Sequence, residues 1–563
     1  MSLFDKHAAL LTAARAACRD RSYFSPFPEV PQKYPAHEAA ATDGETWFRG
    51  QLGQRFELDL PGVRDEIGLE VSPYTRQPLG IRYPRAALDS LFDAARAALP
   101  GLRDAGIENR VGACLEIIDA IYRQLFALLP AVMHTTGQSR AMSYAGSGTN
   151  ALDRGIEAIV HAYEAMAAIA PRARWERDFG SARIALDKQY RLEPRGVAVC
   201  FTCATFPTWN ALPSMLASLA TGNPVIVKPH PHSVLPMALI VRIGREVLAR
   251  AGLPRDALLL ALDTPEQPIG KQLIRHPATS IVDFTGSVGF GRWVERNAWP
   301  ALAFTETAGV NTVVLDSCEN LDAVLRSLAM SLSLFSAQMC TSPQNLFIPR
   351  RGVLEAGRRI PYEEVVARLV TQLGELTAEP RRAAGILAAI QSAQTLRLVE
   401  TLTSEIEGRG RVLRASAAYA HPEFPQARTA SPALLEIGRG QQRLYRGERF
   451  GPVSFVIPVR DARAGLRQAT ADVRRVGGLT AFVYSTDPGF LADATAAYAQ
   501  AGAQLTCNLT GPMPLNFAAA YSDYHVTGLN PAGNASLTDA AFVAGRFRVA
   551  QMRQPSANRN GGV

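Results

Sequence analysis

Lysine is scarce in this chain of 563 residues, with single copies at positions 6, 33, 188, 228 and 271. The net charge of +8 is therefore carried by arginines, which are scattered along the sequence. Nucleic-acid recognition needs basic residues gathered on one face with aromatics between them, so no nucleic-acid partner is expected. No stretch reaches the roughly 18 consecutive apolar residues that a membrane crossing requires. The first 20 residues mix Asp5, Lys6, Arg15, Arg19 and Asp20 into apolar positions, which predicts an amphipathic helix and not a signal peptide. The cysteines, at 18, 114, 200, 203, 318, 340 and 507, are odd in number and dispersed, which argues against a disulfide framework and fits a reducing cytoplasm. Cys200 and Cys203 make a C-x-x-C inside an apolar run, but no second Cys/His pair nearby completes a four-ligand zinc set, and no metal site is expected.

At 47% hydrophobic and 20% charged, the composition is that of a globular protein long enough for two or three domains. Leu88–Leu99 and Arg110–Leu129 carry helical periodicity, and a Pro- and aromatic-rich segment from Tyr23 to Pro35 predicts an ordered arm wrapping the body. From Gly196 the pattern becomes short β-branched runs alternating with helical stretches: Val197–Phe201, Pro224–Val227, Leu258–Leu262, Ser280–Phe284 and Thr312–Leu315. Such alternation predicts a parallel sheet with crossover helices. Arg183–Leu192 alternates as a partly exposed strand does, an edge able to pair with another subunit.

Three local features point to chemistry. Asp283 to Gly291 follows an apolar strand and opens a helix through Gly286 and Ser287, a turn that lets backbone N–H groups and a hydroxyl approach a pyrophosphate. Val225–Pro229 delivers Lys228 at the carboxyl end of a buried strand, where open α/β sheets bind ligands. Gln338-Met339-Cys340-Thr341-Ser342 sets a cysteine among small and polar residues after the helical stretch Leu321–Phe335. Each also has an ordinary structural reading: a Gly turn, a lysine at a strand end and a buried thiol.

Taken in order, Phe284-Thr285-Gly286-Ser287, Thr305-Glu306-Thr307-Ala308-Gly309, Gln338-Met339-Cys340 and Glu448-Arg449-Phe450-Gly451-Pro452 resemble the aldehyde dehydrogenase superfamily. The separation of 34 positions from Glu306 to Cys340 fits that family's spacing of general base and nucleophile. The Pro-rich arm and Asn530-Pro531-Ala532-Gly533-Asn534 look most like its ring-opening (PaaN-type) branch of phenylacetate degradation. The resemblance implies an α/β fold with a Rossmann-type cofactor domain, an α/β catalytic domain and a β-hairpin oligomerisation arm. It places an N-terminal arm at 1–80, the cofactor domain at 81–172 and 197–305, oligomerisation segments at 173–196 and 506–550, the catalytic domain at 306–505 and a disordered tail at 551–563.

The same resemblance implies that Cys340 attacks an aldehyde and that Glu306 activates the water releasing the acid. Gly286, Ser287, Gly309, Glu448 and Phe450 would contact the cofactor, with Lys228 and His230 near its adenosine ribose. Pro231 stands where NAD-specific relatives carry a glutamate, so NADP is expected to be preferred over NAD. Thr205 takes the place of the family's oxyanion asparagine, with Asn210 or the Cys340 N–H as the alternative donor. A cytoplasmic homodimer or tetramer is expected, acting on a ring-cleavage semialdehyde that carries coenzyme A or lacks it. Two alternatives stay open: a coenzyme A-acylating dehydrogenase, against which Glu306 argues, and a non-catalytic binding protein on the same fold.

Overall fold

The computed structural model describes residues 1–180, 182–525 and 540–556. Two parallel sheets organise it. The first has the strand order Leu258–Leu260, Val225–Lys228, Val197–Phe201, Thr279–Thr285, Leu302–Glu306, and every neighbouring pair is parallel. Its strands are short and almost wholly apolar because helices cover both faces, as parallel pairing through crossover helices demands. The second has seven strands in the order Gly410–Arg414, Ala433–Ile437, Val453–Val459, Asn345–Pro349, Thr312–Leu315, Thr480–Tyr484, Gln504–Cys507, parallel except at the Gly410 edge. Alternate residues of this sheet feed two separate cores. Val313, Leu315, Leu346 and Phe482 face one side, and Val314, Phe347, Ala481 and Val483 face the other.

The N-terminal segment packs into the body. Leu11, Phe27, Phe48 and Phe56 share one continuous core with Ile117 and Val199. Within the Tyr23–Pro35 segment, Phe27 stacks on Tyr122 with ring centroids 4.4 Å apart, and Tyr34 packs edge-on against Phe126. The helical stretch expected at 110–129 is two helices, Ile107–Arg123 and Leu125–Thr136, because the chain turns at Gln124.

Of the tail expected at 551–563, residues 557–563 lie outside the described residues, and the start is corrected: Phe547–Pro555 is a strand paired antiparallel with Ala182–Pro194, which also pairs with Arg172–Phe179. All but its first residue are exposed, so backbone pairing holds it, and a polar sequence with no face to bury gave no apolar alternation to read. This three-stranded sheet leaves Phe179, Ile184, Val549 and Met552 exposed. The Asn530–Asn534 run lies outside the described residues. Among the described residues, no helix is long and apolar enough to cross a membrane.

Candidate active site

Glu306 ends the edge strand of the first sheet, and six residues later the chain enters the second sheet at Thr312, so the carboxylate lies at the seam between them. Cys340 reaches the same seam from the helix Leu321–Ser333. There the chain turns through three consecutive left-handed non-glycine residues, Phe335, Ser336 and Ala337, with φ of 50°, 48° and 52°. That strain is held by tertiary bonds. The Ser336 hydroxyl donates to the Leu387 and Ala430 carbonyls, and the Gln338 amide donates to the Ala389 carbonyl.

Asn311 completes the support: its Nδ2 donates to the Cys340 carbonyl at 2.8 Å while its Oδ1 accepts from the Leu479 and Thr480 N–H groups. Gly309 makes this crossing possible. It has a φ of +75°, and a Cβ there would lie 2.2 Å from the Gly477 carbonyl oxygen.

Around the thiol the structure assembles a cluster that the sequence did not reveal. His525 Nε2 lies 3.5 Å from Cys340 Sγ and 2.8 Å from Glu306 Oε1, and Asn210 Nδ2 donates to Glu306 Oε2 at 2.7 Å. The His525 ring is fixed edge-on against Trp209, with centroids 4.8 Å apart. Burial, followed by the charge of Glu306, pushes the Cys340 thiol well above its ordinary range. Nothing in the local sequence marks His525, which sits in an irregular segment about 180 residues from Cys340.

Cys340 separates two spaces. On one side is a cavity of about 450 Å³, walled by Met142, Phe206, Trp209, Met513 and Phe517 together with Asn210 and His525. Glu29 of the Pro-rich segment also lines it. On the other side is a narrow slot between Gly309, Cys340, Glu448 and Phe450. Glu448 is shared with a further cavity of about 420 Å³ that holds Ser287 and Gly289. Ser287 caps the helix Val288–Asn297, its hydroxyl accepting from the Phe290 N–H, and Gly286 packs its backbone over the Phe284 ring, where a Cβ would clash.

The sequence-expected residues thus divide into two groups. Cys340, Glu306, Gly309, Glu448 and Phe450 converge with the Gly286–Ser287 turn, whereas Thr205 does not join them. Its carbonyl accepts from Gln138, and it is absent from the cavity wall that Asn210 helps to form. The helix beginning at Pro207 brings Asn210, not Thr205, to that wall beside Cys340. Thr205→Val is expected to change kcat by less than about threefold, while Asn210→Ala lowers it about a hundredfold, read from steady-state rates.

Lys228 ends its strand as expected, but its Nζ is paired at 2.6 Å with Asp263, which follows the neighbouring strand. His230 is pushed down to about 4, chiefly by burial, and is neutral at pH 7. A nicotinamide dinucleotide fits this set of donors. The Glu448 carboxylate has no hydrogen-bonding partner among the described residues, burial raises it to about 7, and it stands between the slot at Cys340 and the capped helix end. Ribose hydroxyls donate better to a carboxylate than to a neutral acid, so cofactor binding should weaken as pH falls through about 7. Between about pH 8 and pH 6 the cofactor Kd is expected to rise about fivefold, and Glu448→Gln should flatten that profile in a fluorescence titration.

Comparison with known proteins agrees with this geometry. Residues 70–512 match the model of the aldehyde dehydrogenase family. A crystal structure of an NAD-dependent aldehyde dehydrogenase from Burkholderia multivorans superposes with a TM-score of 0.94 at 39% identity, covering 99% of this chain and 100% of that one. The 1-pyrroline-5-carboxylate dehydrogenase of Bacillus subtilis (strain 168) is 27% identical over 286 residues, 48% of this chain and 51% of that protein. The geranial dehydrogenase of Castellaniella defragrans is 26% identical over 304 residues, 53% of this chain and 58% of that protein. The chain thus spans little more than half the length of these two curated relatives.

Proposed function

Because the chain belongs to the aldehyde dehydrogenase family, a family of oxidoreductases that act on aldehydes, we propose that it oxidises an uncharged, apolar aldehyde to the carboxylic acid with NAD. The observation that carries this reading is the placement of Cys340 in the wall between an apolar cavity and the slot at Glu448, with Glu306 buried beside it. The nicotinamide, when bound, supplies the hydride acceptor. Cys340 gives its thiol proton to solvent in the cavity, its Sγ adds to the aldehyde carbon, and Asn210 Nδ2 and the Cys340 N–H serve as donors to the oxyanion that forms. Loss of hydride leaves an acyl thioester on Cys340. Glu306, positioned by Asn210 and His525, takes a proton from the water that attacks the thioester, and the acid departs.

Substrate choice follows from the wall. Among the described residues lining the cavity there is no lysine or arginine, and Glu29 carries the one carboxylate, so an anionic semialdehyde would bury its charge without a counter-ion. Met142, Phe206, Trp209 and Phe517 suit an aromatic or unsaturated chain. The narrower placement in phenylacetate ring cleavage asks that any coenzyme A thioester keep its phosphates outside this cavity.

For the cofactor, the arrangement favours NAD and reverses the preference for NADP drawn from Pro231. Asp263 already matches the charge of Lys228 and His230 adds none, so these residues would offer a 2′-phosphate no net positive charge. Assembly as a homodimer or tetramer through the sheet exposing Phe179, Ile184, Val549 and Met552 belongs to the same proposal, and a monomeric mass in solution would remove it.

The test is an initial-rate screen of neutral, anionic and coenzyme A-bearing aldehydes with both cofactors. The expected result is the highest kcat/KM for a neutral apolar aldehyde with NAD and no consumption of coenzyme A. A preference for anionic semialdehydes would contradict the substrate assignment, and coenzyme A consumed in step with reduced cofactor would identify an acylating enzyme.

A further inference from the structure

The contacts of His525 do not form a relay. A relay through imidazole uses one ring nitrogen toward each neighbour, as in hydrolytic triads. Here the same atom, Nε2, faces both Glu306 Oε1 at 2.8 Å and Cys340 Sγ at 3.5 Å. Nε2 offers one proton or one lone pair to Glu306, and the Cys340 thiol also bonds to Glu306, so all three groups turn toward one point. Three ligand atoms that converge in this way, all within 4.8 Å of one another, are also the pattern of ligands around a cation.

We infer that Cys340, His525 and Glu306 form a binding site for a single Zn²⁺ ion, which holds the nucleophilic thiol in an inactive, metal-bound form. The donor set is one sulfur, one imidazole nitrogen and one carboxylate oxygen, each a normal zinc ligand. Tetrahedral coordination with ordinary zinc bond lengths separates sulfur from nitrogen by about 3.6 Å and nitrogen from oxygen by about 3.4 Å. The observed 3.5 Å already meets the first, and the observed 2.8 Å needs an opening of about 0.6 Å to meet the second.

The surroundings orient the ligands as a metal site requires. Asn210 holds the second oxygen of Glu306, and Trp209 fixes the plane of His525. Cys340, Asn210 and His525 all line the 450 Å³ cavity, which leaves the fourth position for water. On binding, the Cys340 thiol gives its proton to solvent, the His525 proton resides on Nδ1, and no electron is transferred. A second candidate trio, His7, Glu116 and Asp119, differs in being occupied already: Lys6 and Arg123 neutralise its carboxylates.

Binding stands on geometry alone, whereas the inhibition rests on the proposed role of Cys340. Titration of the metal-free protein with Co²⁺ reads the site directly, because a cobalt-bound thiolate gives a charge-transfer band. The expected result is one Co²⁺ per chain, displaced by Zn²⁺, with the band lost in Cys340→Ser and the affinity lowered at least about tenfold in His525→Gln. If the His525 variant does not fold, Glu306→Gln carries the same expectation. Zn²⁺ should also protect Cys340 from iodoacetamide and suppress aldehyde oxidation until a chelator is added. The inference is overturned by a cobalt band that persists without Cys340, or by wild-type protein that shows no band and is alkylated at Cys340 equally fast with and without Zn²⁺. Aldehyde oxidation by the metal-free protein tests the proposed reaction separately, so either can fail alone.

Discussion

Cys340→Ala is expected to lower kcat/KM for aldehyde oxidation by on the order of 10⁴-fold or more, because no other thiol lies where both the cavity and the slot open onto it. Cys203 is the nearest rival. Its thiol is pushed up to about 11 by burial, it accepts from the Phe206 N–H, and it belongs to neither wall. Glu306→Gln acts on the other half of the reaction. Its amide can keep a bond to Asn210 or His525 but cannot accept a proton from water, so acyl transfer to Cys340 should survive while release of the acid slows. Pre-steady-state mixing should then show one rapid equivalent of reduced cofactor followed by turnover about a hundredfold slower than wild type.

Residues that act through local pattern were legible in the sequence. The strands at Val197–Phe201 and Thr312–Leu315 have the bounds that apolar runs imply, and the Gly286–Ser287 turn, Glu306, Cys340 and Glu448 were found by motif and spacing. What escaped depends on contacts between distant segments. His525 meets Cys340 across about 180 positions, Asn311 ties two strands to the nucleophile turn, and Asp263 meets Lys228 from a neighbouring strand end. None of these leaves a periodicity or a local signature. Thr205 is the converse case: the turn motif placed it at the oxyanion, whereas the cavity wall beside Cys340 holds Asn210 and not Thr205.

Arg546→Ala is expected to cost about 3–5 kcal/mol of stability, measured by reversible urea unfolding. The Arg546 side chain is fully buried, donating to both oxygens of Asp283 at 2.6 and 2.9 Å, to the Ser218 hydroxyl and to the Phe542 carbonyl. Its guanidinium also lies over both the Phe304 and Phe542 rings. Removing it leaves the Asp283 carboxylate buried without a counter-ion, in the strand that leads to Gly286 and Ser287. Replacing both partners, as Arg546→Met with Asp283→Leu, should recover much of the loss, since the penalty belongs to the unpaired charge. A single variant as stable as wild type would show that the pair contributes nothing to anchoring the C-terminal strand.

In the proposed reaction Cys340 carries the acyl group between oxidation and hydrolysis. The most direct measurement is the intact mass of Glu306→Gln quenched within the burst, followed by peptide mapping. The account predicts one acyl adduct per chain, located on Cys340 and formed in step with reduced cofactor. Reduced cofactor without any adduct, or an adduct on Cys203 with Cys340 unmodified, would contradict it.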